Sequence, residues 1–125
     1  MKKISLIMAL ATTALFAEPK LSSAYYHCID SVDATTSSMV KCNGDELQRQ
    51  DKRLNETYKR VMTTLDDRQK NELKTLQRAW MAYRDIKCSF YYSFTGGTID
   101  RLNGSFCMII ETANQADELK SLESY

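Results

Sequence analysis

A chain of 125 residues that holds one proline and four glycines has few places to turn. Sandwiches and barrels need many turns, so this scarcity disfavours an all-β fold and favours a few long helices. Apolar residues make up 43% and charged residues 26%, which marks a globular chain rather than a disordered one. The length suits a single domain. Seventeen basic residues against sixteen acidic give a net charge of +1. Without a basic excess there is little to displace counterions from phosphates, which excludes nucleic acid as the main partner.

The N-terminus reads as a secretory leader. Met1-Lys2-Lys3 is a short positive region, Ile4 to Ala17 is apolar apart from Ser and Thr, and Ser22 and Ala24 place small residues at −3 and −1 of a cleavage site. The apolar run is too short for a membrane span, which needs about 20 residues. The reading is residues 1–24 as signal peptide and 25–125 as one helical domain. Cleavage after Ala17 is a second possibility, with Leu15 at −3. No lipobox cysteine follows the apolar run. The expectation is a periplasmic or secreted protein with no membrane attachment once the leader is cut. Loss of Lys2, Lys3, Lys20 and Glu18 turns the net charge to −1.

All four cysteines, Cys28, Cys42, Cys88 and Cys107, lie beyond the leader. In a small exported domain an even count reads as two disulfides. Residues 25 to 35 are polar and read as an irregular arm. Thr35 to Ser38 offer N-cap chemistry for a helix running to about Leu65, with Gly44 as a weak point. Asp66 and Gln69 resemble a capping box opening a second helix over about Asp67 to Ser93. There Leu73, Leu76, Trp80 and Tyr83 form one stripe, and Gln77, Trp80, Arg84 and Cys88 its neighbour. A third helix carries Leu102, Phe106, Ile109, Ala113, Ala116, Leu119 and Leu122. The first two helices, joined tightly, are expected to form an antiparallel hairpin. Both Cys88–Cys107 and Cys42–Cys88 fit an antiparallel register. Local loop closure favours Cys28–Cys42 with Cys88–Cys107, each loop contributing on the order of 3 kcal/mol.

Little here points to catalysis, a cofactor or a metal site. The cysteine spacings match no zinc box. His27, the only histidine, stands beside a cysteine in the arm. Gly96-Gly97 lacks the Lys-Ser/Thr of a phosphate loop. Trp80, Tyr83, Arg84 and Asp85 read as packing residues, with Trp80 in the core and Arg84 bonded to a carboxylate or to helix-end carbonyls. Leu54 and Tyr58 belong to the apolar stripe of the first helix. Asn55 is expected to face Gln77 or Arg78 and fix helix register. Phe90, Tyr91, Tyr92 and Phe94 cannot all face inward from one helix. Either some are exposed as a protein-binding surface, or Tyr25, Tyr26 and the arm cover them.

Taken together, Cys42, Leu54-Asn55 with Tyr58, Leu76-Gln77-Arg78-Ala79-Trp80, Tyr83-Arg84-Asp85, Cys88, Gly96-Gly97-Thr98 and Cys107 resemble the LprI-type lysozyme-inhibitor N-terminal domain family over about residues 28 to 122. The resemblance implies an all-α domain with two disulfides, here a bundle of about three helices. It also implies a non-catalytic exported protein whose partner is another protein, a lysozyme-type hydrolase. The alternative is an envelope interaction or stress module with an unrelated protein target. The expected partner surface is the loop-rich end, with Tyr91, Tyr92, Phe94, Gly96 and Gly97, and with Asp100 turned toward a basic enzyme.

Overall fold

A computed structural model describes residues 19–125. Residues 1–18, which carry most of the leader reading, lie outside the described residues. Among the described residues the fold is all-α: α1 (Ser23–Ser31), α2 (Thr36–Thr64), α3 (Asp67–Tyr92) and α4 (Ile99–Ser121), with a closing 3-10 turn at Leu122–Ser124. That is four helices rather than about three, because the expected arm is itself helical. Ser22 starts α1 by accepting a hydrogen bond from the Tyr25 N–H at 3.1 Å. Its small side chain, which reads as part of a cleavage site, serves here as an N-cap. Leu21 and Tyr25 are both buried. The domain line drawn between Ala24 and Tyr25 therefore falls inside α1.

The longer helices follow local chemistry. Thr35 caps α2 through the Ser38 N–H, and α2 continues through Gly44 without a break. Asp66 accepts from the Gln69 N–H at 2.7 Å while Gln69 Oε1 accepts from the Asp66 N–H at 3.0 Å, closing the capping box that opens α3. Helix α4 starts at Ile99, ahead of Gly104 and Ser105.

Helix α4 is the central element. It runs parallel to α2, since Asn43 meets Ser105, Arg53 meets Ala113 and Arg60 meets Glu123 at separations of 62, 60 and 63 residues. It runs antiparallel to α3, where separations shrink from 38 at Gln77–Gln115 to 28 at Arg84–Thr112 and 19 at Cys88–Cys107. Its two packed sides differ in chemistry. Toward α1 and α2 it presents Ile109, Ala113, Ala116 and Leu119, which share two apolar clusters with Leu21, Tyr25, Cys42, Leu54, Val61 and Leu73. Toward α3 it presents Gly104, Cys107, Glu111 and Gln115, where the contacts are polar or covalent apart from the Tyr92 ring on Gly104; Leu73 and Trp80 of α3 join the apolar side.

The expected hairpin core between α2 and α3 is thus replaced by α4, which packs against both. α2 and α3 share apolar packing beside their connection, where Leu65 and Leu73 join Val61. The stripe of α3 that packs is Leu73, Gln77 and Cys88, all buried, with Trp80 and Arg84 half-buried between them. Leu76 and Tyr83, expected to face inward, are exposed. Helix α3 faces an interior already filled by α4, so its polar stripe turns inward and its apolar one is left outside.

Disulfides join Cys28 to Cys42 and Cys88 to Cys107, with Cα–Cα distances of 5.8 Å and 5.5 Å. The first ties α1 to α2. The second ties α3 to α4 near the end where the α3–α4 loop projects.

Candidate functional site

At one end of the bundle, the close of α3, the loop 93–98 and the start of α4 come together. The α1–α2 connection lies at this same end, because Tyr25, Ile29, Met39, Asn43, Leu102 and Phe106 surround a common hollow. The aromatic run of α3 does not vanish under α1. Phe90, Tyr91, Tyr92 and Phe94 are all at least a third exposed, so the open alternative resolves toward a surface cluster. Phe90 meets Phe94 with centroids 5.1 Å apart and Tyr91 edge-on at 5.7 Å, geometries that aromatic pairs favour.

A groove of about 450 Å³ runs between these rings and α4, lined by Lys87, Tyr91, Phe94, Asn103, Phe106, Cys107, Ile110 and Glu111. Lys87 Nζ donates to Glu111 at its floor. That bond, ahead of an opposing effect of burial and a further contribution from the Glu111 charge, raises the lysine pKa above its ordinary value. Phe106 belongs by its spacing to the apolar stripe of α4, beside which Ile110 lies. Phe106 is instead exposed and Ile110 half-buried, because the helix turns Ser105 and Ile109 toward α2. Their neighbourhood with Tyr91 and Phe94 depends on the α3–α4 register, which the cysteine pairing alone could have signalled.

The loop itself is held from within. Asp100 is only 3% exposed. Its carboxylate accepts hydrogen bonds from the Thr95 N–H at 3.0 Å, the Thr95 hydroxyl at 2.7 Å and the Gly96 N–H at 2.8 Å. Gly96 sits at φ +75°, where glycine avoids the strain other residues meet. Asp100 is therefore not the acidic contact expected for a basic enzyme. It is the clamp that shapes the loop. Acidic side chains that do face solvent at this end are Asp30 and Asp33.

The Thr95 hydroxyl, against an opposing effect of burial and with help from the Thr95 and Gly96 amides, holds the Asp100 carboxyl below its ordinary 3.8. A group depressed in the folded state contributes order that is present above its unfolded pKa and lost as acid carries the pH below the folded one. The Thr95 and Gly96 amides are expected to keep their hydrogen-bonded NMR shifts down to the ordinary carboxylate range and to lose them only below it. Loss of those shifts near neutral pH would contradict this.

Tyr92 anchors the loop from the other side. A Cβ added at Gly104 would lie 2.3 Å from the Tyr92 ring, so this helical glycine exists to let the ring lie against α4. Gly104→Ala is expected to push Tyr92 off its seat and cost about 1–3 kcal/mol despite the better helix propensity of alanine. Thermal melting checks the sign; an unchanged or raised melting temperature would refute it.

The motif residues in the middle of the bundle meet the expectation in part: Arg84 bonds carboxylates, and Trp80 packs on the edge of the core. Trp80 is not enclosed between helices; it is half-buried, with the Arg84 guanidinium 4.9 Å from its centroid. Arg84 also bonds Asp85 at 3.0 Å and Thr112 at 3.3 Å, and lies 3.8 Å from Asp51 on α2. This bridging carboxyl, Asp51, is pushed up by burial more than the Arg84 charge pulls it down. Gln77 bonds Gln115 of α4 at 3.0 Å, not Asn55. Asn55 is exposed and, with Leu54, Tyr58, Lys74, Gln77, Arg78 and Met81, lines a shallow groove between α2 and α3. Asn55 thus stands near Gln77 and Arg78 as expected, but the Gln77 amide bonds Gln115 rather than Asn55.

No curated protein and no solved structure matches the chain. The family model of the lysozyme inhibitor LprI matches residues 28–119, from the first disulfide cysteine to the last buried leucine of α4. The match thus spans both disulfides, the polar α3–α4 seam and the clamped loop, and the chain belongs to the LprI lysozyme inhibitor family.

Proposed function

We propose that this protein is an exported, non-catalytic inhibitor that seats its α3–α4 loop in the cleft of a lysozyme-type peptidoglycan hydrolase. The observation that carries the reading is the clamped loop. An inhibitor must fill a cleft, and ordering a loop on binding costs affinity. Here Asp100 has already ordered the loop through three donors, and the Cys88–Cys107 disulfide fixes its base. Tyr91, Tyr92 and Phe94 supply the exposed aromatic surface that buried interface cores favour. Two ionisable groups at this end serve structural roles: Lys87 is paired with Glu111, and Asp100 with the loop amides. Asp30 and Asp33 offer a local negative field for a basic enzyme. Among the described residues no helix is long and apolar enough to cross a membrane.

The test is a lysis assay with the purified, oxidised protein against several muramidases. Inhibition is expected at micromolar protein, and Phe94→Ala is expected to weaken it at least about tenfold. Asp100→Ala should weaken it as well, with a less favourable binding entropy by calorimetry. If lysis proceeds unchanged and calorimetry detects no complex, the inhibitor reading fails for those enzymes. The reading as an envelope module with another protein target then takes its place.

A further inference from the structure

The outward stripe of α3 is the largest apolar feature that the loop does not explain. Leu76, Ala79, Tyr83, Ile86 and Phe90 are all exposed, and the four large side chains are 64%, 55%, 75% and 57% accessible in chain order. They alternate at spacings of three and four, so Leu76, Tyr83 and Phe90 stand seven residues apart, as do Ala79 and Ile86. That is the repeat with which one helix meets another along a seam. The stripe lies on the side of α3 away from the groove it shares with α2, and about a third of a turn round from the side packed on α4. Among the described residues nothing covers it. The four large side chains present on the order of 500 Å² of apolar surface, at the upper end of what a monomer of this size normally leaves open.

We propose that this face pairs with the same face of a second copy, antiparallel, about a twofold axis between Arg84 and Asp85. The stripe is complementary to itself in that arrangement. Phe90, the bulkiest member toward one end, falls opposite Ala79, the smallest, and the twofold repeats this contact. Tyr83 falls opposite Ile86. No charged residue occupies a seam position between Leu76 and Phe90. On one flank Thr75, Ala82 and Ser89 are small enough to let two helices approach closely. The exposed seam side chains of two copies together amount to about 1,000 Å², what a specific interface needs. The helices are already formed, so pairing carries no folding cost. An isologous contact of this kind closes on two copies and sets the two α3–α4 loops at opposite ends of the seam, each starting at Ser93 opposite Leu76 of the other copy.

The experiment is sedimentation equilibrium of the exported protein over a wide concentration range, beside a set of variants. The wild type is expected to show a monomer–dimer equilibrium. Ile86→Glu and Leu76→Lys should each weaken it at least about tenfold, with far-UV circular dichroism and melting unchanged because both side chains are exposed. Ala79→Phe should abolish pairing by setting two large rings against each other, and Phe90→Ala in the same chain should restore it. That rescue is specific to the antiparallel register. A wild type that stays monomeric throughout overturns the proposal, and binding of such a monomer to phosphatidylglycerol vesicles would assign the face to a lipid surface instead. A dimer indifferent to Ile86→Glu and Leu76→Lys, or the absence of rescue, also overturns it. Because the readout is mass, its failure is separate from any failure of hydrolase inhibition.

Discussion

Replacing Cys88 and Cys107 together by alanine is expected to cost about 3 kcal/mol in the chain-entropy model, and to release α3 before the rest of the bundle. The cysteines are 19 residues apart and both buried. The reason for the uneven effect is the character of the α3–α4 seam. Where α4 meets α2, Ile109, Ala113 and Ala116 are fully buried with Cys42, Leu54 and Val61. Where α4 meets α3, Leu73 and Trp80 join the apolar cluster and Tyr92 lies on Gly104, but the remaining contacts are the hydrogen bonds Gln77–Gln115, Arg84–Thr112 and Lys87–Glu111. Such bonds exchange for bonds to water and stabilise by only about 0.5–1.5 kcal/mol each, somewhat more where charged. The disulfide is therefore a large share of what holds the C-terminal half of α3. Hydrogen exchange in the double variant should show α3 amides from about Trp80 onward opening far below the global unfolding free energy, while α2 and α4 keep their protection. Because the loop 93–98 hangs between the two helices, inhibition should weaken in parallel. A uniform loss of protection along the chain would show that α3 is part of one cooperative core after all.

This seam also shows how far the sequence could be read. The helices themselves were legible, because Thr35, Asp66 and Gln69 are local signals and act within one turn. Disulfide partners followed from loop closure, since each joins neighbours in the chain. What was not legible was which face of α3 turns inward. Periodicity shows that Leu76, Tyr83 and Ile86 share a face, yet burial of that face depends on a third helix arriving from later in the chain. Gln77, Cys88 and Arg84 won the inward side because α4 offers Gln115, Cys107 and Thr112 as partners. The same non-local cause explains Asn55, left exposed when Gln77 found Gln115. At the candidate site Tyr91, Tyr92 and Phe94 were identifiable as too many aromatics for one buried stripe. Asp100 was misplaced because a carboxylate near a glycine loop looks the same in sequence whether it faces a partner or clamps its own backbone.

A chain beginning at Tyr25 is expected to be less stable than one beginning at Glu18 by about 3–5 kcal/mol. Leu21 is 7% exposed and packs with Tyr25, Cys42, Ile109 and Ala113, and burying such a side chain contributes about 1.5–3 kcal/mol. Ser22 does more than cap α1. Its N–H donates to Glu46 Oε1 at 2.9 Å and its hydroxyl donates to Oε2. Glu46 is completely buried. Burial works to raise its pKa, but the Ser22 hydroxyl, the Gln50 amide, the Ser22 N–H and Arg49 together outweigh it and hold the carboxyl below its ordinary 4.5. Losing Ser22 removes two of those donors, at about 1.5–3 kcal/mol each for bonds to a charged group; a new α-ammonium at Tyr25 returns part of that. The pH dependence follows with its sign. A depressed carboxyl contributes stability that is present above its unfolded pKa and lost as pH falls through the folded one. In the shorter chain the carboxylate loses the two Ser22 donors that depress it, so its pKa rises and acid unfolding begins at higher pH. Urea titrations of the two chains at neutral and mildly acidic pH measure both effects, and equal stability at both would refute the role given to Leu21 and Ser22. The same argument favours export processing after Ala17, the cut that keeps both residues. The intact mass of the exported protein is then expected to correspond to a start at Glu18, and a mass corresponding to Tyr25 would show that α1 forms without its cap.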